Sequence, residues 1–479
     1  MLISMSSTLD RLRRLHGLRP QKSADEPTPS APLSARPSTP DLDHASIRSA
    51  SAVAKPKRRA GANALETLVP GEEIENCNGV CYVVTERYPL HELRGAYPLA
   101  GLLDHHPRTF AAFHPNFGLQ AEIDFRQALF LDTETTGLGG GAGVYAFMVG
   151  VGTFETVANE QQDVDHSPFT VHSLPFTAPT HFVVRQFFMR NPAEEGALMM
   201  ALAELLDNYA MSVTFNGRTF DLPLLRTRFR QNQHMYPELR GSGRLLDAER
   251  PHLDLLHPAR RVWKRRLQSC RLINLEAEIL GMQRTGEDVP GHLIPQLYTD
   301  YLRSGNAGQM GGIFYHNRED IVSMVALATH LSTAYRAGEE RDSYELHGLD
   351  WLSLGRCYAD QERWPEAERA FTAALERLTG NSAQADAFAE LAQLQKRQNR
   401  WAEAAETWQR WLSTVPGIDP TPYIELAKYC EWQCKDFEQA AMWTQWALHN
   451  LQSAPAWQRS GAQVAELEHR LARIQRKQK

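Results

Sequence analysis

LFLDTETTGLGGGAGVYAFMVGVG, residues 129–152, sets two acids on an apolar strand in front of five glycines. It reads either as a phosphate-cradling glycine loop or as a metal-binding strand end. Gly137-Leu-Gly139-Gly-Gly-Ala142 fits G-x-G-x-x-A in form, but that fingerprint needs a helix immediately after it. VYAFMVGVGTF follows instead, a strand by its β-branched and aromatic content, and no Gly-Lys-Ser/Thr accompanies it. The acids therefore take precedence. Asp132 and Glu134 stand two apart, a spacing that aims both carboxylates at one face of a strand. Leu129, Phe130 and Leu131 make that strand a buried central one, and no Lys or Arg in the segment neutralises the pair. Two buried acids are costly unless a cation or a proton offsets them. The glycines become the turn between two adjacent strands.

Two further sets of polar residues follow in order. In TFNGRTFDLPLLRTRF, Asn216-Gly217 ends a short strand and Asp221 precedes a helix, a position that a plain N-cap would also explain. In YHNREDIVSMVALATHL, Asp320 opens an apolar-periodic helix with His316 four residues before it, so imidazole and carboxylate can share a face. Asp-x-Glu, Asn-Gly-x-x-Phe-Asp and His-x3-Asp in this order are improbable by chance.

These residues resemble the DEDD group of 3′–5′ exonucleases on the ribonuclease H-like fold, and among them the YprB-type ribonuclease H-like proteins. The resemblance covers roughly residues 125–335. Asp132-Thr-Glu134 looks like the first exonuclease motif, Asn216 to Asp221 the second, and His316 to Asp320 the third. HLDLLHPARRVWKRRLQSCRLINLEAEILG is similar to the linking segment of family B polymerase proofreading domains. DVPGHLIPQLYTDYL and YHNREDIVSM look specific to the YprB type. The histidine subgroup usually places its His five residues before the Asp. Here His316 is four before Asp320 and Tyr315 five before, so either ring is a candidate base; the i, i+4 geometry selects His316.

The resemblance implies two Mg²⁺ or Mn²⁺ ions, roughly 3.5–4 Å apart, held by Asp132, Glu134, Asp221 and Asp320. It implies phosphodiester hydrolysis, with His316 taking the proton of the attacking water. For substrate, Arg260, Arg261, Lys264, Arg265, Arg266 and Arg271 form a basic run around Trp263 with no acid between Leu255 and Leu275. That run reads as phosphate tracking plus a stacking ring, or as a solvated helix face. Arg226, Arg228 and Arg230 add to it, and Asn216 is placed to contact a terminal nucleotide or a metal-bound water. The expected partner is nucleic acid, DNA or RNA, at single-stranded ends. The competing reading is a nucleic-acid-binding scaffold with little or no cleavage.

The 479 residues exceed one compact core, and their net charge of −6 leaves any basic surface local. Residues 1–62 form an arm rich in Ser, Pro, Ala and Arg that cannot bury enough apolar surface to order itself. Eleven Lys/Arg face five acids in its first 60 residues. Residues 63–122 read as a small strand-containing lead-in segment, in which Asp104-His105-His106 is taken as locally hydrogen-bonded rather than metal-binding. Residues 123–338 alternate strands and helices: an α/β ribonuclease H-like domain with a mixed central sheet flanked by helices. Residues 344–479 are all-helical. Trp351, Leu354, Gly355, Tyr358, Ala367, Phe371 and Ala374 stand at the spacing of a tetratricopeptide repeat, and Ala404, Trp408, Trp411 and Pro416 repeat it. Trp364, Trp401 and Phe437 mark one corner of each unit, 37 and 36 residues apart. Three such units stack into a solenoid expected to recruit a protein partner. Six cysteines include two Cys-x3-Cys pairs, Cys77/Cys81 and Cys430/Cys434, but neither pair has a second close pair or a His-x3-His to complete a zinc site, which predicts reduced thiols rather than disulfides or zinc. With no secretory signal and no run of 18 apolar residues, the expected setting is cytoplasmic, with no membrane contact.

Overall fold

A computed structural model describes residues 64–113, 123–137, 143–157, 178–337, 345–417, 419–453, 455 and 460–478. The basic arm of residues 1–62 and glycines 139–141 lie outside these residues.

Strand β5 (Ala128–Thr135) owes its central place to its pattern. Leu129, Phe130 and Leu131 are fully buried, and their alternation feeds two separate layers. Phe130 packs edge-on against Phe154 and Phe182, whereas Leu129 and Leu131 join the layer on the opposite face. The seven-stranded sheet runs β1-β2-β7-β6-β5-β8-β9. Its strands are β1 (Glu72–Asn76), β2 (Gly79–Pro89), β6 (Ala146–Glu155), β7 (His181–Phe188), β8 (Met211–Thr214) and β9 (His252–Asp254). β5 pairs antiparallel with β6 and parallel with β8, and β8 pairs parallel with β9, so the sheet is mixed. A two-stranded hairpin, β3 (Leu93–Arg94) with β4 (Tyr97–Pro98), stands apart from it.

A strand follows the glycine-rich stretch. The Thr136 amide donates to Tyr145 O and the Tyr145 amide to Thr136 Oγ1, both at 3.0 Å, which closes an antiparallel β5–β6 connection. The dinucleotide fingerprint lacks the helix it needs. Two of the lead-in strands, β1 and β2, also join the main sheet, because β2 pairs with β7 along residues 82–89.

Three helices follow, α1 (Glu195–Leu206), α2 (Asp221–Met235) and α3 (Leu256–Trp263), of which α2 and α3 carry residues of the site. Helix α4 (Ile294–Ser304) leads into α5 (Met310–Ala337), which crosses one face of the sheet. The sequence suggests a helix opening at Asp320. It opens ten residues earlier, at Met310, because Gly311 and Gly312, poor helix formers, disguise its first turn. α5 lies close enough to β6 that a Cβ on Gly150 would collide with Asn317 Oδ1 and Ile321 Cδ1. Only glycine admits this approach.

Beyond α5 the chain is helical: α6 (Gly348–Asp360), α7 (Trp364–Arg377), α8 (Asn381–Arg397), α9 (Trp401–Thr414), α10 (Thr421–Tyr429), α11 (Phe437–Ser453) and α12 (Gly461–Gln478). Trp364, Trp401 and Phe437 open α7, α9 and α11. Two residues before each, Glu362, Asn399 and Lys435 adopt left-handed φ of 59°, 60° and 57°. The same turn thus recurs in each hairpin. The first hairpin is fused to the α/β part: Tyr335 of α5 meets Phe113 and Tyr358 at ring distances of 5.4 and 4.8 Å. One apolar core runs from Phe130 through Val325 to Trp351, Tyr358 and Phe371.

Candidate active site

Asp132 and Glu134 project from the end of β5 toward α5, on the face shared with Phe130. Asn317 of α5 donates its amide to Asp132 Oδ2 at 2.9 Å, and Gln186 of β7 holds Asn317 Oδ1 at 2.9 Å. Asp221 comes in from the first turn of α2, where the Thr133 hydroxyl donates to it. The approach to α2 is set by Asn216, which follows β8 with a left-handed φ of 68°. Asp254, buried at the end of β9, accepts from the amides of Asn216 and Arg218 at 2.7 and 3.1 Å and pins that turn. Asp320 and His316 sit one turn apart on α5, with His316 Nε2 3.8 Å from Asp320 Oδ2.

The four carboxylates interact electrostatically. Burial pushes Asp132 well above the usual carboxylate range; the charges of Asp320, Asp221 and Glu134 add to this, and the Asn317 hydrogen bond opposes it. Burial does the same to Glu134, reinforced by Asp320 and Asp221 and opposed by Arg284. Asp221 is pushed up to about 6 by burial, against the hydrogen bond from Thr133. Among the described residues, no group of three or more His, Cys, Asp or Glu side chains is arranged, as it stands, to hold a metal ion. The donor chemistry nevertheless fits a hard divalent cation, since the converging groups are carboxylate oxygens with no thiolate among them. Their mutual repulsion is what such a cation would relieve.

Two residues not singled out in the sequence complete the network. Arg284, from the loop before α4, donates to Asp320 and grips Glu276 with Nε and a terminal nitrogen at 2.7 and 2.6 Å. Asp288, from the same loop, accepts from His316 Nδ1 at 2.8 Å. A carboxylate can only accept, and Asp288 lies nearer to Nδ1 than the Arg284 guanidinium nitrogen at 3.3 Å, so this contact selects the Nδ1–H tautomer and leaves Nε2 toward Asp320. Tyr315 points elsewhere: its hydroxyl accepts from the Thr285 amide at 3.0 Å, and its ring lies under Arg318. Of the two candidate bases, the geometry brings His316 beside Asp320.

A cleft of about 1080 Å³ opens at these residues, lined by Asp320, His316, Arg284, Asn216, Phe215, Arg260, Lys264 and Arg271 among others. The basic run is thereby divided. Arg260 and Lys264, one turn apart, face the cleft together with Arg271. Arg261, Arg265 and Arg266 do not. Arg261 pairs with Asp360 and donates to Phe113 O, Arg265 pairs with Asp386 at 2.7 Å, and Arg266 pairs with buried Asp350 at 2.9 Å. Trp263 is fully buried in the core and offers no stacking ring. Its place beside Ala259 and Val262 on the apolar stripe of α3 was the signal for this. Arg228 is also structural, since its guanidinium pairs with Glu195 at 2.5 Å inside the fold.

A mixed sheet with these acids at the centre defines a ribonuclease H superfamily domain, and residues 129–332 match the model of the RNase_H superfamily. The match begins on β5 and ends on α5, the two elements that carry Asp132, Glu134, His316 and Asp320. The chain belongs to the YprB family. It is 30% identical over 410 residues to "Uncharacterized protein YprB" of Bacillus subtilis (strain 168), across 83% of this chain and 86% of that one. The superfamily points to nuclease chemistry on nucleic acid, typically with divalent metal ions. Among the described residues, no helix is long and apolar enough to cross a membrane.

Proposed function

We propose that this protein is a metal-dependent 3′–5′ exonuclease acting on single-stranded ends of DNA or RNA. The observation that carries the reading is the electrostatic coupling of Asp132, Glu134, Asp221 and Asp320, the last of which lines a cleft whose wall also presents Arg260, Lys264 and Arg271. These four carboxylates would hold Mg²⁺ or Mn²⁺. Such ions, when bound, lower the pKa of water and offset charge on the leaving oxygen. His316 accepts the proton of the attacking water at Nε2, and Asp288 holds the ring in the tautomer that can do so. Arg260, Lys264 and Arg271 track phosphates, and Asn216 meets the terminal nucleotide. Arg284 keeps Asp320 oriented toward the site.

The helical region reads as tetratricopeptide-like repeats, supported by the recurring turns at Glu362, Asn399 and Lys435. Its far hairpins are offered to a protein partner, while the first is committed to the α/β part. A cytoplasmic setting suits such chemistry. The test is to incubate 5′-labelled DNA and RNA oligonucleotides, and a circular single strand, with Mn²⁺. A nested ladder on linear strands with the circle intact supports the exonuclease reading. Cleavage of the circle would make the enzyme an endonuclease. A stable complex with uncut strands would make it a binding scaffold.

A further inference from the structure

The four carboxylates are not equivalently partnered. Asp132 accepts from the Asn317 amide and Asp221 from the Thr133 hydroxyl, both neutral donors. Among the described residues, no donor reaches the Glu134 carboxylate. Asp320 alone meets a formal charge, the guanidinium of Arg284. Arg284 is not a surface side chain that has fallen onto the nearest acid. Its side chain is 7% exposed, and its partner Glu276 is 3% exposed. Glu276 takes two of its N–H groups in a two-point grip, Asp320 takes another, and Asp288 lies 3.5 Å from the remaining nitrogen. Glu276 has no other cation beside it among the described ion pairs. Withdrawing Arg284 would leave a buried carboxylate uncompensated, so the grip holds the guanidinium at Asp320 whatever else binds.

We propose that Arg284 is a resident cation of this site, supplying beside Asp320 the charge that a second divalent ion would otherwise bring. The carboxylates then hold one divalent cation, ligated chiefly by Asp132, Glu134 and Asp221. This rests on the metal-dependent reading above and sets one ion where the family resemblance implies two. Arg is suited to the task because it stays protonated, cannot be lost to chelators, and spans two carboxylates with one planar fork. It also fixes Asp320 in the absence of metal, so the site is partly organised before an ion arrives.

The test counts ions rather than products. Mn²⁺ alone is titrated into the full-length protein by isothermal titration calorimetry, with electron paramagnetic resonance on the same samples. The site's ions are the equivalents that disappear in Asp132→Asn. One equivalent is expected in the wild type, with an uncoupled signal. Arg284→Met is expected to take two, with the broadened signal of a coupled pair, and Arg284→Lys to stay at one. Two Asp132-dependent equivalents in the wild type overturn the proposal and leave the metal-dependent reading intact. A folded Arg284→Met protein that still takes one also overturns it. No Asp132-dependent binding overturns both. Should Arg284→Met fail to fold, the wild-type count and the Lys variant decide the matter.

Discussion

Asn317 on α5 donates to Asp132 on β5 at 2.9 Å, joining the long helix to the central strand at the acid that leads the motif. Asn317 is fully buried, and Gln186 fixes its other end at 2.9 Å. Asn317→Ala leaves Gln186 and Asp132 each one partner short, a loss worth about 1–3 kcal/mol in a buried setting. Urea unfolding should register that destabilisation, and Mn²⁺ affinity should fall with it. An unchanged unfolding midpoint would show the amide to be dispensable.

His316 and Asp288 make a separable pair. His316→Ala should lower turnover by about 10²- to 10⁴-fold, the usual contribution of a positioned base. Asp288→Asn keeps the shape but offers a donor to Nδ1, favouring the wrong tautomer. Its kcat should fall while KM stays near the wild-type value. A change in KM alone would place Asp288 in substrate binding instead.

The divided basic run gives opposite outcomes for neighbours. Arg260→Ala and Lys264→Ala should weaken single-strand binding and lower the salt slope by about 0.7 for each phosphate left without its cation. Arg265→Ala should leave binding and its salt slope unchanged and alter stability by no more than about 1 kcal/mol, since Arg265 and Asp386 are exposed. Equal effects from both groups would contradict the assignment of faces.

The acids were legible because their chemistry and local pattern coincide. Asp132 and Glu134 end an apolar strand, and His316 and Asp320 are one helical turn apart. What stayed hidden depends on long-range closure. Arg284 and Asp288 lie in a stretch with no clear periodicity, Glu276 opens the helical turn Glu276–Leu280 just before it, and only the folding of these residues back onto α5 gives them meaning. Asn317 looked like one polar residue among several. Arg261, Arg265 and Arg266 resembled substrate ligands because their partners Asp360, Asp386 and Asp350 lie far ahead in the chain. Counting by helical turns would have separated Arg260 and Lys264 from Arg261 and Arg265, but not named the acids opposite.

Asp350 carries a pH signature. Burial pushes its carboxyl up from 3.8 to about 7, against the pull of Arg266 beside it. Between those values the folded protein keeps a proton that the unfolded chain has lost, so this group's contribution to stability falls as pH rises. Asp350→Asn removes the titration. Urea unfolding across that window should give a flatter stability profile in the variant; parallel profiles would contradict this account.

The central claim is that the Asp132 carboxylate cluster cuts phosphodiester bonds from the 3′ end. The most direct measurement compares wild type with Asp132→Ala on one 5′-labelled single strand in Mn²⁺, resolved on a sequencing gel. The account predicts a ladder of progressively shortened 5′-labelled products from the wild type and intact strand from the variant. No ladder from the wild type, or the same ladder from both proteins, would contradict it.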